Sequence, residues 1–164
     1  MQETILRKAA FNLIGISIRT GYDVEFNQKK GLISSCVQKY FHQGLFNKIP
    51  HRKNPGTTIC AYTDYESDYK GAYTYFIGEE VKALPEKLPE GFEVLSIPGQ
   101  IYKKFTTPPG PMPEVIIDGW KAIWALSPEQ IGGRRRYHID FELYDDRAND
   151  HNKVVADIYI GIAN

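Results

Sequence analysis

An order of elements that occurs twice limits what this chain can fold into. From the N-terminus a strand, a helix and two strands lead to residues 84–91, Leu-Pro-Glu-Lys-Leu-Pro-Glu-Gly, after which the same order starts again. Prolines and a glycine forbid regular structure in that stretch, so it reads as a linker between pseudo-repeats 1–83 and 92–164 of one domain. The first half predicts a strand over 5–20 with Gly15 inside it, where glycine marks a bulge or a close backbone approach. A helix over 31–41 follows, with Ile33, Val37 and Phe41 on one stripe and a stop near Gly44. Residues 42–55 read as a polar connection of low order, and strands over 57–64 and 72–81 form a hairpin around 68–71. The second half predicts extended segments over 92–98 and 100–106. A helix over 114–126 carries Ile116, Trp120, Ile123 and Trp124 and ends near Pro128, before strands over 134–145 and 154–162.

Two short matches support the duplication: Asp64-Tyr65-Glu66 with Asp140-Phe141-Glu142, and Phe76-Ile77-Gly78 with Tyr159-Ile160-Gly161. The expected fold is therefore α+β. Duplicated β-α-β-β units are related by a pseudo-twofold axis, two main helices cover part of a mostly antiparallel sheet, and a groove forms at the seam.

Within this frame the stretch 134–145 is the most informative. Tyr137, Ile139, Phe141 and Leu143 fall on one side of a strand, and His138, Asp140, Glu142 and Tyr144 on the other. The first set is apolar and suits a core. The second would be ordinary as a wet face; as a cavity wall it would set carboxylates beside aromatic rings.

Charge and composition exclude several classes. Twenty basic residues balance twenty acidic ones, so the chain lacks the electrostatic footprint of a nucleic-acid binder and is expected not to bind duplex DNA. No apolar run reaches membrane-spanning length and no signal-peptide pattern opens the chain, so the expectation is a cytoplasmic protein without a membrane partner. Cys36 and Cys60 read as buried thiols on a helix and a strand. The four histidines lack zinc-ligand spacing, and Asp145, Asp146 and Asp150 miss the calcium-loop pattern. No phosphate loop, dinucleotide fingerprint or nucleophile elbow occurs, so no cofactor is expected. The run Gly132-Gly133-Arg134-Arg135-Arg136 could hold an anion, but a solvated loop is the commoner meaning of such a charge run.

Several pieces, taken in order, resemble the gyrase-inhibitor-like, or AraC-type effector-binding, domain superfamily. They are Ile14-Gly15-Ile16-Ser17-Ile18-Arg19-Thr20, Tyr62-Thr63-Asp64-Tyr65-Glu66-Ser67-Asp68, Gly71-Ala72-Tyr73-Thr74, Ile77-Gly78, Ile97-Pro98-Gly99 with Tyr102 and Phe105, the Trp120-Ile123-Trp124 helix, and Asp140-Phe141-Glu142-Leu143-Tyr144-Asp145. The resemblance implies the duplicated β-α-β-β fold and a central small-molecule pocket lined by aromatics, often with one acidic residue. In relatives fused to DNA-binding domains that pocket senses drugs, commonly lipophilic cations. This sequence leaves no room for a helix-turn-helix module, so it resembles the stand-alone members.

Glu142 is the expected counter-charge, matching the family's acidic position on the alternate face of a central strand. A carboxylate in an apolar pocket is costly to ionise, so its pKa should rise when the pocket is empty. Trp120, Trp124, Tyr62, Tyr102 and Tyr144 are the candidate aromatic walls, although Trp120 and Trp124 also suit the core face of an amphipathic helix. Glu66 would be the pseudo-symmetric mate of Glu142, or simply an exposed acid. The leading expectation is a binding module for a small organic ligand, cationic or amphipathic, that is not an enzyme. The alternatives are a small hydrolase with Glu142 as general acid or base beside Tyr102 or Tyr144, and a protein-interaction module acting through its surface with an unidentified partner.

Overall fold

The computed structural model describes residues 1–27 and 31–163. Its strands are β1 (Gln2–Lys8), β2 (Phe11–Gly21), β3 (Thr58–Thr63), β4 (Ala72–Val81), β5 (Glu93–Ile97), β6 (Gln100–Thr106), β7 (Arg134–Arg135), β8 (Ile139–Tyr144) and β9 (Asp157–Ala163). The helices are α1 (Tyr22–Asn27), α2 (Leu32–His42), α3 (Glu114–Trp124) and α4 (Pro128–Ile131). The strands lie in the order β1-β6-β9-β8-β3-β4-β2-β5, with β7 beside β9, and every ladder is antiparallel.

That order is symmetric about the β3–β8 pair. Outward from it, β4 answers β9, β2 answers β6, and β5 answers β1. The fold is α+β and duplicated as expected. The outermost strands are exchanged: β1 leaves its own half to pair with β6, and β5 pairs with β2.

The ladders also correct one motif match. Ala61 pairs with Phe76, and Phe141 with Tyr159. If Phe76 and Tyr159 are equivalent, the counterpart of Phe141 is Ala61, and that of Glu142 is Tyr62. Asp64 lies past the end of β3 with φ of 50°, in the left-handed region that Asp tolerates in turns. Asp140, by contrast, is buried inside β8. The likeness of Asp64-Tyr65-Glu66 to Asp140-Phe141-Glu142 is therefore accidental, and Glu66 is exposed.

Period-two alternation sorts the side chains. Ile14, Ile16, Tyr73, Tyr75, Ile77 and Cys60 face α2, while Ile158, Ile160, Ile162 and Phe105 face α3. The opposite face carries a core made only of strand residues, among them Leu13, Ala61, Phe76, Ile139 and Phe141. Gly15 and Gly78 sit opposite each other on β2 and β4. A Cβ on Gly15 would lie 2.0 Å from the Ile77 carbonyl oxygen, and one on Gly78 2.2 Å from that of Ile14. Only glycine fits at this crossing, as the interior glycine in β2 suggested.

Other local differences have plain causes. The expected strand over 5–20 is divided at Ala9 and Ala10 into β1 and β2, because β1 belongs to the other half's edge. Residues 42–55 are not loose: a 3₁₀ turn at Leu45–Lys48 buries Leu45 and Ile49 against the α2 core. Pro128 opens α4 as well as following α3, with Ser127 and Gln130 forming a reciprocal cap. The stretch 134–145 is divided at Tyr137, whose φ is also 50°. Residues 84–91 form neither helix nor strand, and Leu88 packs on the α2 core.

Candidate functional site

The helix-covered face holds a cavity of about 1030 Å³. Its floor comes from β3, β4 and β8, one wall from α2, the other from α3, and part of its rim from α1. This is the seam between the two halves.

Glu142 stands in the floor, directly across the β3–β8 ladder from Cys60. It is 3% exposed. Its Oε2 accepts hydrogen bonds from the Tyr62 hydroxyl at 2.6 Å and the Trp120 indole N–H at 2.6 Å, and its Oε1 accepts one from the Tyr144 hydroxyl at 2.7 Å. Tyr144 is supplied by the same strand two residues on, hence the same face. Tyr62 comes from the neighbouring strand. Trp120 reaches the carboxylate because α3 sits low on β9: a Cβ on Gly119 would lie 3.0 Å from Ile158 Cδ1. Burial raises the Glu142 pKa above the ordinary carboxylate value, and the three donors oppose that rise without cancelling it. The same burial, with the carboxylate beside them, pushes the Tyr62 and Tyr144 hydroxyls well up, so both stay protonated donors.

Glu142, the carboxylate expected from the sequence, is placed in the floor of the cavity. Tyr62, Trp120, Trp124 and Tyr144 all line the cavity with it. Tyr102 does not. It is fully buried on the opposite face of the sheet, with Phe141 at 5.3 Å and Tyr159 at 5.8 Å between ring centroids. In β6 it is Phe105, three residues on, that faces the α3 side.

Two features were not read from the sequence, the aromatic rim around Trp124 and the burial of Arg135 against Asp140. At the rim, Tyr69 stacks on Trp124 with centroids 4.8 Å apart, while Tyr22 and Phe26 meet Trp124 edge-on at 5.6 and 5.7 Å. Tyr22 and Phe26 belong to α1, whose i, i+4 aromatic pair is its only sequence signal. Glu25 of the same helix accepts the Leu32 backbone N–H at 3.0 Å and so ties α1 to the start of α2.

Arg135 is the second group. Its side chain is 7% exposed and bonds Asp140 through Nη2 at 2.7 Å. Asp140 also accepts the Tyr65 hydroxyl at 2.7 Å and the Gly161 N–H at 2.8 Å. The guanidinium lies 4.2 Å from the Tyr137 ring centroid and lines the cavity. The arginine run is thus not wholly solvated. A signal existed: Asp140, on the same strand face as Glu142, needed a partner if buried.

Chemically the site offers one uncompensated buried carboxylate in an aromatic enclosure, since Arg135 and Asp140 neutralise each other. Among the described residues no cluster suited to a metal ion occurs, and no helix is long and apolar enough to cross a membrane.

Comparison with known proteins bears on this geometry. The family model Cass2, integron-associated effector binding protein, matches residues 4–162. The putative transcriptional regulator protein YobU of Bacillus subtilis (strain 168) is 26% identical over 148 residues, 90% of this chain and 89% of its own. An integron cassette protein from Vibrio cholerae superposes with a TM-score of 0.76 at 25% identity, covering 98% of this chain and 95% of that one. The protein SAV2435, solved bound to tetraphenylphosphonium, superposes with a TM-score of 0.78 over 100% of this chain and 95% of that one. At 16% identity the last likeness is one of fold.

Proposed function

The chain belongs to the Cass2 family of integron-associated effector binding proteins, and on that footing we propose that its cavity binds a lipophilic organic cation without transforming it, with Glu142 as the counter-charge. The observation that carries this reading is the carboxylate buried in the floor of a large aromatic cavity. A bound cation would pair with Glu142 and favour its ionised form. Each well-placed ring adds about 0.5–2 kcal/mol of cation–π attraction. SAV2435, which shares the fold, is seen with such a cation, but the charge preference argued for this chain rests on its own residues.

The open volume favours a binding module over one that acts only through its surface. Against the hydrolase reading, both Glu142 oxygens are already engaged by three donors. That arrangement holds the carboxylate in place as a negative charge, which suits a counter-ion.

Titration calorimetry with tetraphenylphosphonium and tetraphenylborate tests the proposal, because the two ions share a shape and differ in sign. The protein should bind the cation and reject the anion. Glu142→Gln should keep the fold and lose roughly 2–5 kcal/mol of cation affinity. Cation affinity should also fall as pH drops through the raised Glu142 pKa, because protons then compete for the carboxylate. Equal cation affinity in Glu142→Gln would remove the counter-charge role.

A further inference from the structure

The cavity is a trough between α2 and α3 whose two ends differ. One end, beyond Thr63, is shut by rings. Trp124, the last residue of α3, stacks there on Tyr69 and meets Tyr22 and Phe26 of α1 edge-on. The start of α2 belongs to this end, because Glu25 of α1 accepts its Leu32 N–H at 3.0 Å. From there α2 runs along the trough, with Ile33, Val37 and Phe41 all lining it. Eight residues of helix place Phe41 about 12 Å from Ile33, toward the other end. The α3 wall runs the opposite way, so Met112, just before its start, also lies at that other end. Phe41 is 46% exposed and Met112 36%, and both line the cavity. Single exposed apolar side chains are ordinary. Two that flank the mouth of an apolar trough, with half-buried Val37 and Ile117 continuing its walls inward, form a track that begins near Glu142 and ends in water. The acid at this mouth, Asp145, is paired with Arg147 at 2.8 Å, which leaves Glu142 as the charge for a cation.

We infer that the ligand is a single-chain cationic amphiphile, with a compact onium head beside Glu142 and an unbranched apolar chain lying out past Val37 between Phe41 and Met112. The inference rests on the cation reading and narrows it from any lipophilic cation to an elongated one. Glu142 is two residues from Tyr144 at the end of β8, on the order of 7 Å. The first few carbons of the chain are therefore enclosed, and later ones lie on the exposed pair. Each methylene laid on these walls removes apolar surface from water on both partners. A compact cation seated at Glu142 would leave Phe41 and Met112 wet.

The test is calorimetry on the full chain with alkyltrimethylammonium ions whose chains grow from butyl through hexyl and octyl to decyl, each below its micelle concentration. A pH of about 8, above the ordinary histidine range, keeps His42 and His151 at the mouth from adding charge. Affinity should rise roughly two- to fourfold per methylene, the upper figure being that of full burial. The double variant Phe41→Gln/Met112→Gln should flatten this rise for the longer chains. Both side chains are exposed, so the fold should hold, and either single variant should flatten the rise in part. Leu84→Gln, at a residue 49% exposed but outside the cavity, should leave the rise unchanged. Glu142→Gln should lower every affinity by the same factor and keep the rise. No rise with chain length, a rise that the double variant keeps, or one that Leu84→Gln removes overturns the inference. A rise flattened by Tyr69→Ser in place of the Phe41 and Met112 changes puts the chain at the shut end and overturns it too. Failure of the cation reading looks different: the rise would persist while Glu142→Gln left every affinity untouched, and this inference would fall with it.

Discussion

Trp120→Phe isolates one bond in the floor of the cavity. Trp120 is 8% exposed, and its indole N–H meets Glu142 Oε2 at 2.6 Å. Phenylalanine keeps an aromatic ring in the wall but cannot donate. A hydrogen bond to a charged group contributes about 1.5–3 kcal/mol, and one between neutral groups about 0.5–1.5 kcal/mol. The smaller ring adds a packing loss of roughly 1 kcal/mol. Where Glu142 is ionised the total loss of folding stability should be about 2.5–4 kcal/mol, and where it is protonated about 1.5–2.5 kcal/mol. The direction with pH is fixed by the raised Glu142 pKa. A carboxyl whose folded pKa lies above its unfolded value contributes stability that is present below the unfolded pKa and lost as pH rises through the folded one. Removing a donor to the carboxylate lifts the folded pKa further, so the cost of Trp120→Phe grows as pH rises through that window. Urea unfolding followed by far-ultraviolet circular dichroism across the window gives the difference directly. In a Glu142→Gln background the part of the slope that Glu142 contributes should vanish, and Trp120→Phe should cost the smaller, pH-independent amount. A cost that is the same at both ends of the pH range, or undiminished in the Gln background, refutes the reasoning.

Arg135→Met should destabilise the fold by about 3–5 kcal/mol, because it leaves Asp140 charged and buried; adding Asp140→Asn should recover most of the loss in chemical denaturation. Gly78→Ala should cost at least about 3 kcal/mol or prevent folding, since its Cβ would meet backbone rather than a movable side chain; soluble yield and melting temperature report this. Cys60 is buried with its thiol pushed well above the usual range by burial, so maleimide should modify it far more slowly in the native protein than in urea, as read by mass spectrometry.

The particular residues show what a sequence can and cannot carry. Ile139, Phe141 and Leu143 went to one face of β8, and Glu142 and Tyr144 to the other, because alternation is a local property of extended backbone. Tyr102 was misplaced because β6 has an aromatic on each face, Tyr102 and Phe105, and nothing local fixes which face meets α3. The duplicated order was legible from the proline-rich break. The pairing of Asp64 with Asp140 was not sound, because equivalence is set by ladder register, and register chose Tyr62 as the mate of Glu142. The Arg135–Asp140 pair and the Tyr69–Trp124 stack depend on chain segments that meet only after folding. The six-residue α1 is too short for periodicity to announce it.

The exchange of β1 and β5 between the halves has a consequence for how the molecule comes apart. Each half lends its edge to the other, so neither can be excised with its hydrogen-bond ladders complete. Residues 84–91 run between β4 and β5, while the ladders latch the halves independently of that stretch. Scission there would leave two fragments that need each other, and unfolding of either half would strip a strand from its neighbour. A ligand seated on the seam therefore draws on the cooperativity of the whole chain: its occupancy should raise the barrier to global opening, protecting the edge strands of both halves in amide exchange though it touches neither.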